Sequence, residues 1–424
     1  MPPVVLYFQV HQPNRLRRYS VFDSTPDYFD DTLNAEICRK VAEKCYRPAT
    51  RLLLELVQRH GGAFRVAFSF SGTVLEQWER FTPDVTDLFR QLCATGHCEV
   101  LSETSHHSLA FLYSRQEFQE QLDLHDRLVD RVFGVRPRVF RHTELIYSND
   151  LAHYVAGLKG PGGAPRYLGC IMEGAEQVLG KRSPNHVYKP PHTGEGADGG
   201  PFALLLRNYA LSDDVAFRFS NREWAHWPLT ADTYAAWIAE LGDKGAQVCN
   251  IFVDYETFGE HQWAQTGIFG FLEALPARVL AQPGCSFMTP SEGLRAAEPA
   301  GTIDAPRVVS WADTERDLSA WLGNAMQSNA MSEVYRLERA VKRRVEDALA
   351  VGDQTERAHA EALLNDWRRL TSSDHYYYMS TKYWSDGAVH KYFSPYESPY
   401  DAYINLMNVL DNLRVRCTRR GTHG

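Results

Sequence analysis

An α/β fold built on a parallel, closed or nearly closed β/α barrel is predicted by three features of the sequence. Short apolar runs alternate with helical stretches over about the first 290 residues, several of the runs are continuously apolar, and polar residues collect just beyond their ends. Packing alone explains the first two features but not the third.

The strands are expected at Val4–Val10, Phe64–Phe70, Glu99–Leu101, Arg138–Phe140, Tyr167–Ile171, Phe202–Leu206, Val248–Val253 and Ser286–Met288. Continuous apolar runs such as Phe202–Leu206 suit strands that are covered on both faces. On pattern alone a doubly wound open sheet remains the alternative. After about Pro290 the texture becomes helical. Ala330, Val334, Leu337, Val341, Val345 and Leu349 recur every three or four residues, which predicts one long helix over Asp313–Leu349. A second helix should open at Asp353, with Glu356 three positions on in capping-box order. A third should open at Ser398-Pro399, a cap residue followed by proline at the first helical position. The expected organisation is a catalytic barrel over 1–300 and a C-terminal helical domain over 301–424 that completes the cleft. The Gly-rich stretch from His192 to Pro201 is expected to be a flexible loop, because no Gly-x-Gly-x-x-Gly opens a helix there.

Composition narrows the function. The chain has 44% hydrophobic and 23% charged residues, as soluble globular proteins do. A net charge of −8 leaves no basic footprint for nucleic acid. No apolar run approaches the roughly 18 residues of a membrane span, and the N-terminus shows no basic and apolar leader pattern. Eight scattered cysteines without a Cys-x-x-Cys pair read as reduced thiols. A cytoplasmic protein without cofactor, metal, nucleic-acid or membrane partner is expected; the oligomeric state is left open.

In a parallel barrel, chemistry lies where strands end. His11-Gln12-Pro13 follows the first run, Glu103, His106 and His107 the third, Arg141-His142-Thr143-Glu144 the fourth, and Asp254-Tyr255-Glu256 the seventh. Retaining cleavage of a glycosidic bond needs one ionised carboxylate as nucleophile and one protonated carboxyl as general acid. Glu144 and Asp254 lie far apart in sequence, so only a fold that gathers strand ends could pair them. From the pattern alone Glu103, Glu256, Glu260, Asp213 and Asp214 compete for the roles, and each acid could instead be an ion-pair partner or a helix cap.

Several segments carry a resemblance that bears on this choice. His11-Gln12-Pro13, GHCEV at 96–100, RHTELIYSN around Glu144, FVDYETFGEH around Asp254 and SWADTERDLSAWLGN from Ser310 resemble, in order, the five conserved regions of glycoside hydrolase family 57. The stretch from Thr371 to Tyr396 resembles the C-terminal part of its bacterial α-amylase group. The resemblance implies an incomplete (β/α)7 barrel and a retaining mechanism on α-1,4-glucans such as starch, glycogen and maltodextrins, without an obligatory metal. It further implies Glu144 as nucleophile and Asp254 as acid/base, with α-amylase activity ahead of 4-α-glucanotransfer or branching.

Around the pair, His11, Gln12, His106, His107, His142 and His261 are candidate hydrogen-bond partners of sugar hydroxyls, because imidazole and amide groups both donate and accept. Trp263 and Trp311 are candidate stacking platforms, and Asp374 could edge the cleft. Two other classes stay in view. His11, His106, His107, Asp254 and His261 could serve a metal-dependent hydrolase, and the aromatic content would also suit a glucan-binding protein without catalysis.

Overall fold

The computed structural model describes residues 1–382 and 394–418. Eight strands form, all within about two residues of the expected positions: β1 Pro3–Val10, β2 Val66–Phe70, β3 Cys98–Val100, β4 Val139–Arg141, β5 Gly169–Glu173, β6 Ala203–Arg207, β7 Cys249–Asp254 and β8 Ser286–Met288. All pairings between them are parallel.

The ladders run β3-β2-β1-β7 in one sheet and β4-β5-β6 in the other. Two seams join the sheets into an incomplete barrel, and they differ in kind. Between β3 and β4 the backbone itself bridges: Ser102 N–H donates to Val139 O (3.0 Å) and Arg141 N–H to Ser102 O (2.9 Å). Between β6 and β7 side chains do most of the joining, with Asn250 donating to Leu206 O at 2.9 Å and Arg207 Nε to Phe252 O at 2.7 Å. β8 pairs with Pro3–Val5 of β1, whose other edge is occupied by β7, so it lies in line with β2 below the point where β2 begins.

Side-chain alternation then assigns the faces. Val4, Leu6, Phe8 and Val10 point outward into a cluster that covers the β1–β2–β7 half, while Val5 and Tyr7 point inward with Ala67, Ile171, Leu205 and Phe252. Continuing the same alternation puts Gln9, Arg141 and Asp254 on the inner side at the mouth.

The region after residue 300 packs on the other half of the barrel. Trp321, Trp367 and Leu413 share one buried cluster with Phe118, Phe140 and Leu204. The expected single helix over Asp313–Leu349 does not form. It is broken into Ser319–Leu322, Ala325–Arg336 and Glu338–Val351. Asn324 caps a fresh N-terminus there, accepting from Gln327 N–H while the Gln327 side chain returns the bond. Upstream, Asp313 and Arg316 take left-handed backbone angles (φ 56° and 49°), and this non-helical stretch is drawn toward the barrel mouth. The other two helices open where expected, at Asp353 and at Ser398-Pro399. The Gly-rich stretch forms a turn, with Gly196 N–H donating to Gly200 O (2.7 Å) and Arg295 paired to Asp198 at 2.6 Å.

Candidate active site

Glu144 ends the short segment after β4. Its own φ is 59° and that of Leu145 is 48°, a left-handed pair of non-glycine residues. Such a conformation costs energy and is held by its surroundings. It turns the side chain back over the mouth, where three donors meet the carboxylate. Trp311 Nε1 donates to Oε2 at 2.8 Å and Ser373 Oγ to Oε1 at 2.9 Å, with His107 Nε2 3.5 Å from Oε1. Burial would raise the Glu144 pKa, but His107, Arg141 and Trp311 outweigh it and hold the group below the ordinary carboxylate range.

His107 is the pivot of this corner. Its Nδ1 lies 3.2 Å from Glu103 Oε2 while its Nε2 faces Glu144. With a carboxylate at each nitrogen, only the doubly protonated ring satisfies both. Burial opposes the charge, yet the two acids lift the His107 pKa to about 9. Glu103 is fully buried; against that burial, His107 and Arg141 pull it down to about 2. Gln9 adds a donor to Glu103 at 3.2 Å.

Asp254 closes β7 opposite Gln9 of β1. Among the described residues its carboxylate accepts no hydrogen bond. Burial and the charge of Glu144 push its pKa up to about 6, against Arg141, His107 and Arg207. The two strand-end carboxylates therefore feel each other and are driven apart in proton affinity, as a general acid and an ionised partner require.

Of the competing acids other than Glu103, Asp213 pairs with Arg207 (2.6 Å), which also holds the buried Glu173 (3.0 Å), Asp214 with Arg218 (2.6 Å), and Glu260 with Lys40 and Lys44 (2.7 and 3.1 Å). Glu256 accepts from the Tyr46 hydroxyl and, through burial and Asp254, is raised to about 8.

The family model for "Glycosyl hydrolase family 57" matches residues 5–306 of this chain. The chain belongs to glycosyl hydrolase family 57, and it is a glycoside hydrolase. A Methanocaldococcus jannaschii protein described as "Putative alpha-amylase" is 40% identical over 413 residues, 96% of this chain and 83% of its own length. The fold resembles a family 57 branching enzyme from Thermococcus kodakaraensis (TM-score 0.63, 14% identity, 98% of this chain and 94% of that one). It also resembles an α-amylase from Thermotoga maritima (TM-score 0.59, 14% identity, 98% and 96%). Against a 4-α-glucanotransferase from Thermococcus litoralis the TM-score is 0.59 at 17% identity over 88% of this chain, and the match spans 56% of that longer enzyme.

The predicted accessory residues of this family 57 chain separate into two groups. His11 is at the mouth: Nδ1 meets Ser71 Oγ at 2.7 Å, Nε2 meets Asp374 Oδ2 at 2.8 Å, and the ring stacks on His107 at 3.8 Å and 15°. Burial and the neighbouring His107 charge lower the His11 pKa, so the stack joins one neutral and one charged ring. Asp374 is held well below its usual range, burial notwithstanding, by His11 and His107. Trp311 is also at the mouth, its ring facing the guanidinium groups of Arg141 (5.2 Å) and Arg207 (5.9 Å).

The remaining candidates have other surroundings. His106 is buried near Arg368 and Arg369, its pKa lowered to about 3 by desolvation and those charges. Its sequence neighbour His107 occupies the position at Glu144 instead. His142 points outward on the alternation after Arg141, stacks on Phe118 at 5.6 Å and is lowered by burial to about 4. Gln12 is buried between Arg15 (3.1 Å) and the Tyr46 hydroxyl (3.4 Å). His261 follows Glu260 in the loop beyond β7, lowered by burial to about 4. Trp263 is 62% exposed on the outer part of that loop. Ser373, Gln9 and Arg207 were not anticipated. Ser373 carried no local signal beyond its place next to Asp374, since it meets Glu144 across 229 positions of chain. Among the described residues, no group of three or more His, Cys, Asp or Glu side chains is placed to hold a metal ion, and no helix is long and apolar enough to cross a membrane.

Proposed function

We propose that this chain is a retaining hydrolase of α-1,4-glucans, of the α-amylase type, with Glu144 as nucleophile and Asp254 as acid/base. The observation that carries the assignment is the opposite treatment of the two acids, one held ionised by three donors and the other left bare with a raised pKa. The M. jannaschii relative's description supports the choice of activity.

In this mechanism Asp254 gives its proton to the glycosidic oxygen as the bond to the anomeric carbon breaks. A Glu144 oxygen forms the new bond to that carbon, giving a glycosyl-enzyme. Asp254, now ionised, takes a proton from water; the resulting hydroxide attacks the anomeric carbon and Glu144 leaves as carboxylate. His107 stays protonated throughout, keeping Glu144 a poor proton acceptor and a ready nucleophile.

Chromatography of products from maltoheptaose, soluble starch and glycogen tests the reading. Short maltooligosaccharides that disappear in Glu144→Ala are expected. Longer or branched products would replace hydrolysis by glucan transfer, and a wild-type chain that leaves all three substrates intact would overturn the assignment.

A further inference from the structure

The loop that carries Asp254 continues outward and builds a second feature. From Tyr255 it packs on helix Asp31–Val41 where this runs into a π-helical turn, Ala42–Tyr46. Cys45 Sγ meets Tyr255 O at 3.2 Å, and the Tyr46 hydroxyl reaches Glu256. Gly259 has φ 114°, and a Cβ there would sit 1.9 Å from Lys44 O, so the approach admits only glycine. Further on, Gln262 Nε2 donates to Ala216 O at 2.8 Å, and Trp263 O accepts from both Thr266 N–H (2.9 Å) and Thr266 Oγ1 (2.7 Å). The backbone of Trp263 is thus fixed while its side chain is 62% exposed.

Beside it lies a groove of about 620 Å³ bounded by Glu43, Lys44, Pro48, Trp263, Gln265 and Phe269. That volume falls in the range of small-molecule sites, roughly 300–1,000 Å³. Lys44 is steadied by Glu260 at 3.1 Å and Glu43 by Arg47 at 2.7 Å, whereas the Gln265 amide makes no hydrogen bond among the described residues. The surface thus offers a planar indole, a flat proline and phenylalanine floor, and a rim of acceptors and donors. A sugar ring has the matching anatomy: an apolar C–H face that lies on an aromatic ring and equatorial hydroxyls that meet polar groups at its edge. Few of the large apolar side chains described are as exposed as Trp263, and it sits nine positions beyond Asp254 on a pinned loop.

We infer that the Trp263 groove is an accessory binding site for α-glucan chains, separate from the Glu144–Asp254 centre and rigidly tied to it through the loop after β7. The site would hold part of a long glucan while another part is presented to the mouth, so it raises the effective concentration of polymeric but not of short substrates. The choice of α-glucan as ligand rests on the proposed function; the site itself rests on the groove.

Affinity electrophoresis of the full chain tests it, with Glu144→Gln as the parent so that the polysaccharide in the gel is not consumed. In soluble starch or glycogen the parent is expected to be retarded, and adding Trp263→Ala should weaken binding about 3- to 10-fold, the size of one aromatic contact. Trp263→Phe should recover most of the loss and Gln265→Ala should lose less. Equal retardation of Trp263→Ala and parent, no retardation of the parent, or failure of Trp263→Phe to recover binding would each overturn the site. Equal retardation in a β-glucan gel would overturn α-glucan as its ligand. Wild-type chain that is retarded through Trp263 but leaves starch uncut would leave the site standing and remove the hydrolase assignment, while starch cleavage with no Trp263 effect would do the reverse.

Discussion

The mouth of the barrel has two corners, and they treat the same chemical group in opposite ways. At the β4 corner, Glu144 sits in a left-handed turn and receives Trp311, Ser373 and His107, two of them from beyond residue 300. At the β7 corner, Asp254 simply ends a regular strand in register with Gln9 and receives no donor among the described residues. One corner spends backbone conformation and three donors on keeping a charge; the other withholds donors so that burial keeps a proton. Neighbouring carboxylates acquire different proton affinities through what surrounds them rather than through their own identity.

The sharpest way to break this comparison is to remove the charged member. Glu144→Ala should lower kcat/KM on maltoheptaose by about 10⁴-fold or more, as loss of a nucleophile does; a drop under tenfold would show that Glu144 only lines the site. Asp254→Asn should lower it by about 10²–10⁴-fold on natural glucan and less on an aryl glycoside whose leaving group needs little protonation. Equal losses on both substrates would argue against Asp254 as acid.

The pH profile tests the inequality itself. As the proposed acid, Asp254 would work in its protonated form, and with its pKa pushed up to about 6 activity should fall as pH rises through about 6. As the proposed nucleophile, Glu144 would work ionised and is held below its ordinary value, so the acidic limb should lie below the usual carboxylate range. His107→Gln removes the cation that favours ionised Glu144. It should move the acidic limb upward and cost about 10-fold in kcat, whereas an unmoved limb would mean that Arg141 and Trp311 suffice. Smallest of all, Ser373→Ala deletes one of the three donors and should cost only a few-fold, about 0.5–1 kcal/mol, because water can replace most of a single bond. In the packing beneath this corner, Trp367→Ala should lower stability by about 3–5 kcal/mol in chemical denaturation, because the indole is fully buried.

The two corners were also unequally visible in the sequence. Asp254 sits where the strand pattern put it, since a long apolar run followed by an acid is a local signal and parallel pairing preserves it. The chain after Asp313 reads as a helix because its apolar spacing is helical, yet Asn324 and Gln327 cap a new start within it. The upstream segment unwinds to bring Trp311 to Glu144. Periodicity reports which face is apolar; it carries no record of a tertiary contact that outbids the helix. His106 and His107 pose the same difficulty on a smaller scale, because adjacent residues in a loop point in different directions and only the backbone angle chooses. His107, at φ 50°, is the one turned to the acids.

What the sequence determined by itself was the positions of the strands along the chain, their α/β character and the resemblance to the family, since apolar runs, their spacing and short motifs are local properties. The pairing of Glu144 with Trp311 and Ser373, the bridge of His107 between two acids, the His11–His107 stack and the outward turn of His142 were decided only by the tertiary structure. Each depends on distance and direction between residues far apart in the chain, and the electrostatic energy that separates one carboxylate from another exists only once those distances are set.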